Sequence, residues 1–288
     1  MMRSDPHGAA SRTGGAQFIL LAAGKGTRMM DLTTDMPKTL IPILRNRSIL
    51  EINVQNVVRS KMAQNIHVVG GHAWPSLRTH LNRYAGCEVS VEGILNDDYA
   101  IAGPCRSVQL ALAKTRHCNR IIVANGDTLF TSAAFRYMNR LGPGLFLLGS
   151  RVRSVEADDL VIERGTGRAI RVASKTDACN RGAIISSGMF AAVGADAIEL
   201  LSVALAAVLK REKATGRQLP WHEVLAHFAA SGVPARLLLI NRNAWHEFDS
   251  VSCIARFHGQ QHEAFFFEGP SQAPDRDRRE QRPELLTA

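Results

Sequence analysis

An α/β fold built on a doubly wound, mostly parallel sheet is what the sequence predicts, and three observations predict it. In the first half, short apolar runs of strand length alternate with stretches whose apolar residues recur about every 3.6 positions. Strands that alternate with helices form βαβ units, whose sheet is largely parallel and covered on both faces. The strand runs are continuously apolar, as in strands buried on both sides. Finally, 288 residues at 45% hydrophobic and 21% charged suit one sizeable core.

Taken in order, residues 17–22 are the first strand. Residues 48–61 carry Ile49, Leu50, Ile52, Val54, Val57 and Val58 at helical spacing. Three strand–helix pairs follow, at 65–70 and 75–84, 88–95 and 107–114, and 120–124 and 131–140. Residues 144–151 continue the sheet. The second half has a different texture. Residues 159–163 and 169–174 flank a turn with Gly165 and Gly167 and read as a β-hairpin. A strand at 182–191, helices at 195–211 and 219–230, strands at 235–240 and 244–248, and a helix at 250–258 complete the pattern. This half reads as a mixed insertion, a small hairpin with helices, that covers the C-terminal edge of the sheet. In doubly wound folds the ligand sits at that edge. Residues 1–16 are small and polar, and residues 269–288 mix Pro with charges. Both are expected to be disordered tails around a single domain, 17–268.

The bulk properties exclude several classes. A net charge of +9 suits polyanionic partners. Zinc spacing, a helix-turn-helix and an aromatic RNA-binding strand are all missing, so a nucleic-acid partner is not expected. Five scattered cysteines, with no Cys-x-x-Cys, oppose a disulfide framework and fit the cytoplasm. No apolar run approaches the roughly 18 residues that cross a bilayer, so no membrane association is expected. Homodimerisation is left open.

The first strand runs into Leu21-Ala22-Ala23-Gly24-Lys25-Gly26-Thr27-Arg28-Met29. Two glycines let the backbone turn its N–H groups toward an anion, and Lys25 and Arg28 add charge. The dinucleotide fingerprint fails, since Met29 stands where its third glycine belongs; the P-loop pattern is absent. Further on comes Pro37-Lys38-Thr39-Leu40. Taken alone, the glycine pair is a turn and Lys38 a surface lysine.

Together these segments resemble the NTP-transferase (nucleotidylyltransferase) family, in which a strand leads into LAAGxGxRM/L and then PKxL. Leu21, Ala22, Ala23, Gly24, Gly26, Arg28, Pro37, Lys38 and Leu40 match every fixed element. The resemblance implies a Rossmann-like core and Mg²⁺-dependent transfer of a nucleoside monophosphate, with release of pyrophosphate. Leu21 to Gly26 would bind the NTP, with Ser107 of the later Ser107-Val108-Gln109-Leu110-Ala111 helix. Lys38, Arg28 and Lys175 would be the catalytic cations. Asp127, after the strand at 120–124, matches the family's Gly-Asp metal carboxylate. Asp249, in Glu247-Phe248-Asp249-Ser250, matches its second one. By position alone each reads equally well as a helix cap.

That Glu-Phe-Asp-Ser ending and Asn96-Asp97-Asp98-Tyr99 are most similar to the phosphocholine and phosphonate cytidylyltransferase branch. The branch implies CTP and a small phosphorylated or phosphonylated acceptor. Gly188, on a Ser-Gly-aromatic strand, would line the acceptor pocket; Trp221 with Glu223 would form a cation wall, and Arg106 would contact an acidic acceptor. With three Tyr and three Trp, the chain is poor in aromatics for a choline cage. A sugar-1-phosphate nucleotidylyltransferase and a non-catalytic nucleotide-binding domain are the competing readings.

Overall fold

The computed structural model describes residues 15–115, 118–155, 160–164, 170–173, 183–259, 266 and 284–286. Strand β1 (Ala16–Ala22) leads through a 3-10 segment, Thr27–Thr33, and a 3-10 turn, Lys38–Leu40, to a small hairpin, β2 (Pro42–Leu44) and β3 (Arg47–Ser48). Then come α1 (Ile49–Ser60), β4 (Asn65–Gly70), α2 (Trp74–Leu81), β5 (Ser90–Leu95), α3 (Pro104–Leu112), β6 (Arg120–Asn125), β7 (Thr128–Phe130) and α4 (Ser132–Met138). The second half holds β8 (Gly144–Arg151), β9 (Val161–Arg164), β10 (Ile170–Ala173), β11 (Ile184–Val193), α5 (Ala195–Thr215), α6 (Val224–Ala230), β12 (Arg236–Leu239), β13 (Trp245–Glu247), α7 (Val251–Gly259) and β14 (Glu284–Leu286).

The main sheet runs β14-β12-β8-β11-β6-β1-β4-β5, with β9 and β10 paired off the side of β11. Strands β6, β1, β4 and β5 are parallel, as are β8 and β12, while β11 is antiparallel to both of its main-sheet neighbours. Alternation explains why the strand runs are apolar throughout. Phe18 and Leu20 of β1 face α1, α2 and α4, while Ile19 faces α3, α5 and α6. In β6, Ile122 and Ala124 take the first face and Ile121 and Val123 the second. Helix α1 starts where its sequence stops it from fraying: Ser48 accepts from Glu51 N–H at 3.2 Å, and Glu51 accepts from Ser48 N–H at 2.8 Å.

The structure corrects several boundaries. Helix α3 begins at Pro104, not 107, because proline suits the first turn of a helix. The helix expected at 219–230 opens as a 3-10 turn, Trp221–Glu223. Strands β11 and β12 are not laid over the sheet but built into it, and only β9–β10 forms the side hairpin. The strand expected at 244–248 leaves the main sheet and pairs with β7. Glu284–Leu286 lies within the expected disordered tail, yet it pairs antiparallel with β12. An edge strand offers unpaired backbone groups, and three residues suffice to cover them. The hairpin turn at 165–168 lies outside the described residues.

Gly126 brings the ends of β1 and β6 together. Its N–H donates to the Leu21 carbonyl at 2.8 Å, and a Cβ there would run into that same carbonyl oxygen. Gly126→Ala should therefore destabilise the protein by about 1–3 kcal/mol. The check is a urea melt, in which the midpoint falls while the slope stays constant. A variant as stable as the parent would show slack between these strand ends.

Candidate active site

At the C-terminal end of β1 the chain turns outward at Ala23 and Gly24. Gly26 sits at φ +64°, where a side chain would be strained. Met29 N–H and the Thr33 hydroxyl both return to the Gly26 carbonyl, at 2.8 and 2.9 Å. His72 pins the loop from behind. Its backbone N–H donates to the Ala23 carbonyl at 3.1 Å, and its Nε2 lies 2.6 Å from the Thr33 carbonyl. A carbonyl oxygen only accepts, so Nε2 carries the proton.

Two adjoining hollows open on this loop. One, of about 200 Å³, is lined by Ala22, Gly26, Arg28, Lys38 and Gly126, among others. The other, of about 250 Å³, is lined by Ala23, Asn96, Tyr99, Ser107, Asn125 and Gln218, among others. Leu21, Gly24 and Asp127 line both, which makes them two halves of one cleft.

Asp249 is delivered by a short ladder. Glu247 of β13 registers with Thr128 of β7, and Phe248 N–H donates to the Asp127 carbonyl at 2.9 Å. Two buried asparagines of α1 hold β7 from its other side: Asn53 bonds to the Thr128 carbonyl and to Phe130 N–H, and Asn56 to the Phe130 carbonyl. Beneath lies a separate apolar cluster of Met29, Ile41, Ile43, Leu129, Phe248 and Phe257 with their neighbours. It ties the glycine loop, the Lys38 turn and the Asp249 segment into one body.

Lys38 Nζ donates to Asp127 Oδ2 at 2.9 Å and to Asp249 Oδ1 at 3.3 Å; Arg28 Nη2 donates to Asp249 Oδ1 at 2.9 Å. Burial works against the charge on Lys38, but Asp127 and Asp249 outweigh it and hold its pKa above the ordinary value. Burial, reinforced by Asp127, pushes the Asp249 carboxyl up, against the pull of Lys38 and Arg28. Carboxylate oxygens of Asp127, Glu247 and Asp249 all lie within 4.8 Å of one another. Asp127 Oδ1 is buried and has no hydrogen-bond partner among the described residues. A buried, unsatisfied anionic oxygen in an all-oxygen cluster fits a hard divalent cation such as Mg²⁺.

The other residues expected at the site divide. Ser107 is buried in the cleft wall and accepts from Asn96 Nδ2 at 3.0 Å. Lys25 stands exposed on the loop. Gly188 lies on β11 at φ +73°. Arg106 is turned to Asp98 and Gln109, at 3.1 and 2.8 Å, and Glu223 pairs with Arg211 at 2.9 Å. Trp221 is only 2% exposed, stacked on His222 and tilted against Phe190. The packing that buries it removes it as an open wall for a cation. Lys175 lies outside the described residues. Sequence reasoning missed Glu247 as a third carboxylate, although its motif was in view. It also missed the buried Glu212, which accepts from Gly103 N–H at 3.3 Å and Leu219 N–H at 2.6 Å and so braces the wall of the second hollow. Cys105, beside it, is an inert thiol: burial, with Glu212 and Glu223, pushes it up to about 12.

Residues 17–141 match the nucleotidyl transferase family. The matched stretch covers less than half of the chain. It holds β1, the glycine loop, Lys38 and Asp127; Asp249 and Glu247 come from beyond it. Over 66 residues, 23% of its length, the chain is 38% identical to the CTP:phosphoglutamine cytidylyltransferase of Campylobacter jejuni; that match spans a quarter (25%) of the relative. Two solved nucleotidyltransferases share the fold across most of the chain. The CTP:phosphocholine cytidylyltransferase of Streptococcus pneumoniae superposes with a TM-score of 0.66 at 18% identity, over 85% of this chain and 98% of that one. The inositol-1-phosphate CTP transferase of T. maritima superposes with a TM-score of 0.68 at 16% identity, over 89% and 98%. The mixed, largely parallel sheet with flanking helices expected from the sequence is thus borne out.

Proposed function

We propose that the chain is a Mg²⁺-dependent cytidylyltransferase. It transfers CMP from CTP to a small phosphorylated or phosphonylated alcohol or amine and releases pyrophosphate. The observation that carries this reading is the convergence of three carboxylates, Lys38 and Arg28 at the open end of the glycine loop. CTP is supported by three relatives that are named for it.

The chemistry asks for little covalent work. A phosphomonoester is already largely dianionic at neutral pH, so no general base is needed. The task is to hold two mutually repelling anions in line and to neutralise the charge that develops. Asp127, Asp249 and Glu247 would hold Mg²⁺, which would supply positive charge to offset that of the phosphates. Arg28 and Lys25 attract the β- and γ-phosphates. Lys38 exchanges its carboxylate partners for the α-phosphate, and Lys175 holds the acceptor's phosphoryl group. Because the faces of Trp221 are covered, a quaternary ammonium finds no wall there. That favours an acceptor bearing a primary amine or a hydroxyl. The reading places the enzyme in the cytoplasm. Among the described residues, no helix is long and apolar enough to cross a membrane.

The test is pyrophosphate release with Mg²⁺ across CTP, UTP, dTTP, ATP and GTP. The acceptors are phosphocholine, 2-aminoethylphosphonate, 2-hydroxyethylphosphonate, glycerol phosphate and sugar 1-phosphates. Turnover is expected with CTP and a small phosphono or phospho compound. Turnover with sugar 1-phosphates alone would move the chain to NDP-sugar synthesis with the same metal and phosphate residues. No turnover and no Mg²⁺·NTP binding would remove the reading.

A further inference from the structure

Trp221 has a different task from the one its sequence neighbourhood suggested. Its indole N–H donates to Asn125 Oδ1 at 3.1 Å. An indole nitrogen can only donate, so the Asn125 atom it meets is the carbonyl oxygen. The orientation of this amide is thereby set, and its nitrogen carries two N–H donors away from the indole. Those donors meet no acceptor among the described residues. The nitrogen lies 2.6 Å from the point that a Cβ on Gly188 would occupy, so the bare Gly188 leaves it room. The same turn also secures that stretch of β11. Ser186 Oγ accepts from Gly188 N–H at 3.2 Å and lies 3.2 Å from His222 Nε2. Burial pushes His222 down to about 3, so the ring is neutral and can accept the Ser186 hydroxyl proton.

The place of Asn125 in the cleft says what these donors meet. It lines the half that holds Ala23, Ser107 and Gln218, two residues before Asp127, which lines both halves. With the phosphates drawn to Lys38, Arg28 and the carboxylates, the sugar of a nucleotide has to bridge the two halves beside Asp127. We propose that Asn125 binds a sugar hydroxyl of the NTP through its amide N–H groups, and that Trp221 is the positioning residue that keeps this amide turned toward it. The inference rests on the nucleotidyl-transfer reading. A hydroxyl oxygen accepts such a bond readily, and a hydrogen in its place cannot.

The experiment compares the parent with Trp221→Phe and Asn125→Ala, using CTP, 2′-deoxy-CTP and 3′-deoxy-CTP. The parent is expected to favour CTP over at least one deoxy analogue by about 3–10-fold in KM, the worth of one hydrogen bond. Both variants should raise KM for CTP by a similar factor, leave kcat within about threefold and leave the acceptor KM unchanged. Their KM values for CTP and that deoxy analogue should converge. Calorimetric binding of the same nucleotides gives a second reading that does not depend on turnover. A merely loosened fold would weaken all three nucleotides alike and keep their ratio. Variants that retain the parent's ratio, or that shift the acceptor KM instead, would overturn the assignment while leaving nucleotidyl transfer in place. A parent that neither binds nor turns over any of the nucleotides would overturn both.

Discussion

Asp127→Asn is expected to lower kcat by a factor on the order of 10² or more while the protein stays folded. The substitution keeps size and shape, so the packing of β7 and β13 is undisturbed. What it removes is the negative charge on the oxygens that face Lys38 and the neighbouring carboxylates. In the structure one of these oxygens accepts from Lys38 at 2.9 Å and the other is buried without a hydrogen-bond partner among the described residues. In the proposed metal site that second oxygen would meet the cation. An amide in its place offers one weaker acceptor and one donor, and the donor points into a cluster that has to bind positive charge. Stability should change little, because loss of the Lys38 ion pair is offset by relief of repulsion between Asp127 and Asp249. The measurements are a Mg²⁺ titration of pyrophosphate release and a thermal melt. An Asp127→Asn enzyme with parental kcat and parental Mg²⁺ dependence would take Asp127 out of the metal site.

Lys38→Met should be comparably damaging to kcat, by about 10²–10³-fold, for a different reason. Lys38 is the cation shared by Asp127 and Asp249, and its side chain is only 12% exposed. Without it, Asp249, at 9% exposure, faces Asp127 with Arg28 alone in support. Leaving a buried charge without its partner is the costly way to break an ion pair. A loss of about 1–3 kcal/mol in the metal-free protein is therefore expected. The same change clears the ammonium from between the carboxylates. Mg²⁺ should then raise the melting temperature of the variant more than that of the parent, where the ion has to displace Lys38. Equal Mg²⁺ shifts in the two proteins would show that lysine and metal do not compete for these oxygens.

The parts of this site that were legible in the sequence are those written over a short stretch of chain. The glycine loop, Arg28 and Lys38 fall within one local run, and Asp127 follows directly on an apolar strand. The strand runs were legible because a sheet covered on both faces must be apolar at every position. Periodicity reports that a face is buried, though, not what buries it. That is why β11 and β12 read as a cover over the sheet rather than as members of it, and why the pairing of β13 with β7 went unseen. The same limit applies to Trp221: with Glu223 it read as a wall for a cation, but only packing shows that its faces are covered and its one polar atom is spent on Asn125. By itself, then, the sequence determined the fold class and singled out the glycine loop and the two aspartates as candidates. The tertiary structure alone decided that Lys38 reaches across 89 positions to Asp127 and 211 to Asp249, and Arg28 across 221 to Asp249. It also decided that Glu247 is the third carboxylate there. The physical reason is that these contacts are set by the apolar cluster of Met29, Leu129, Phe248 and Phe257, whose members meet only when the chain has closed on itself.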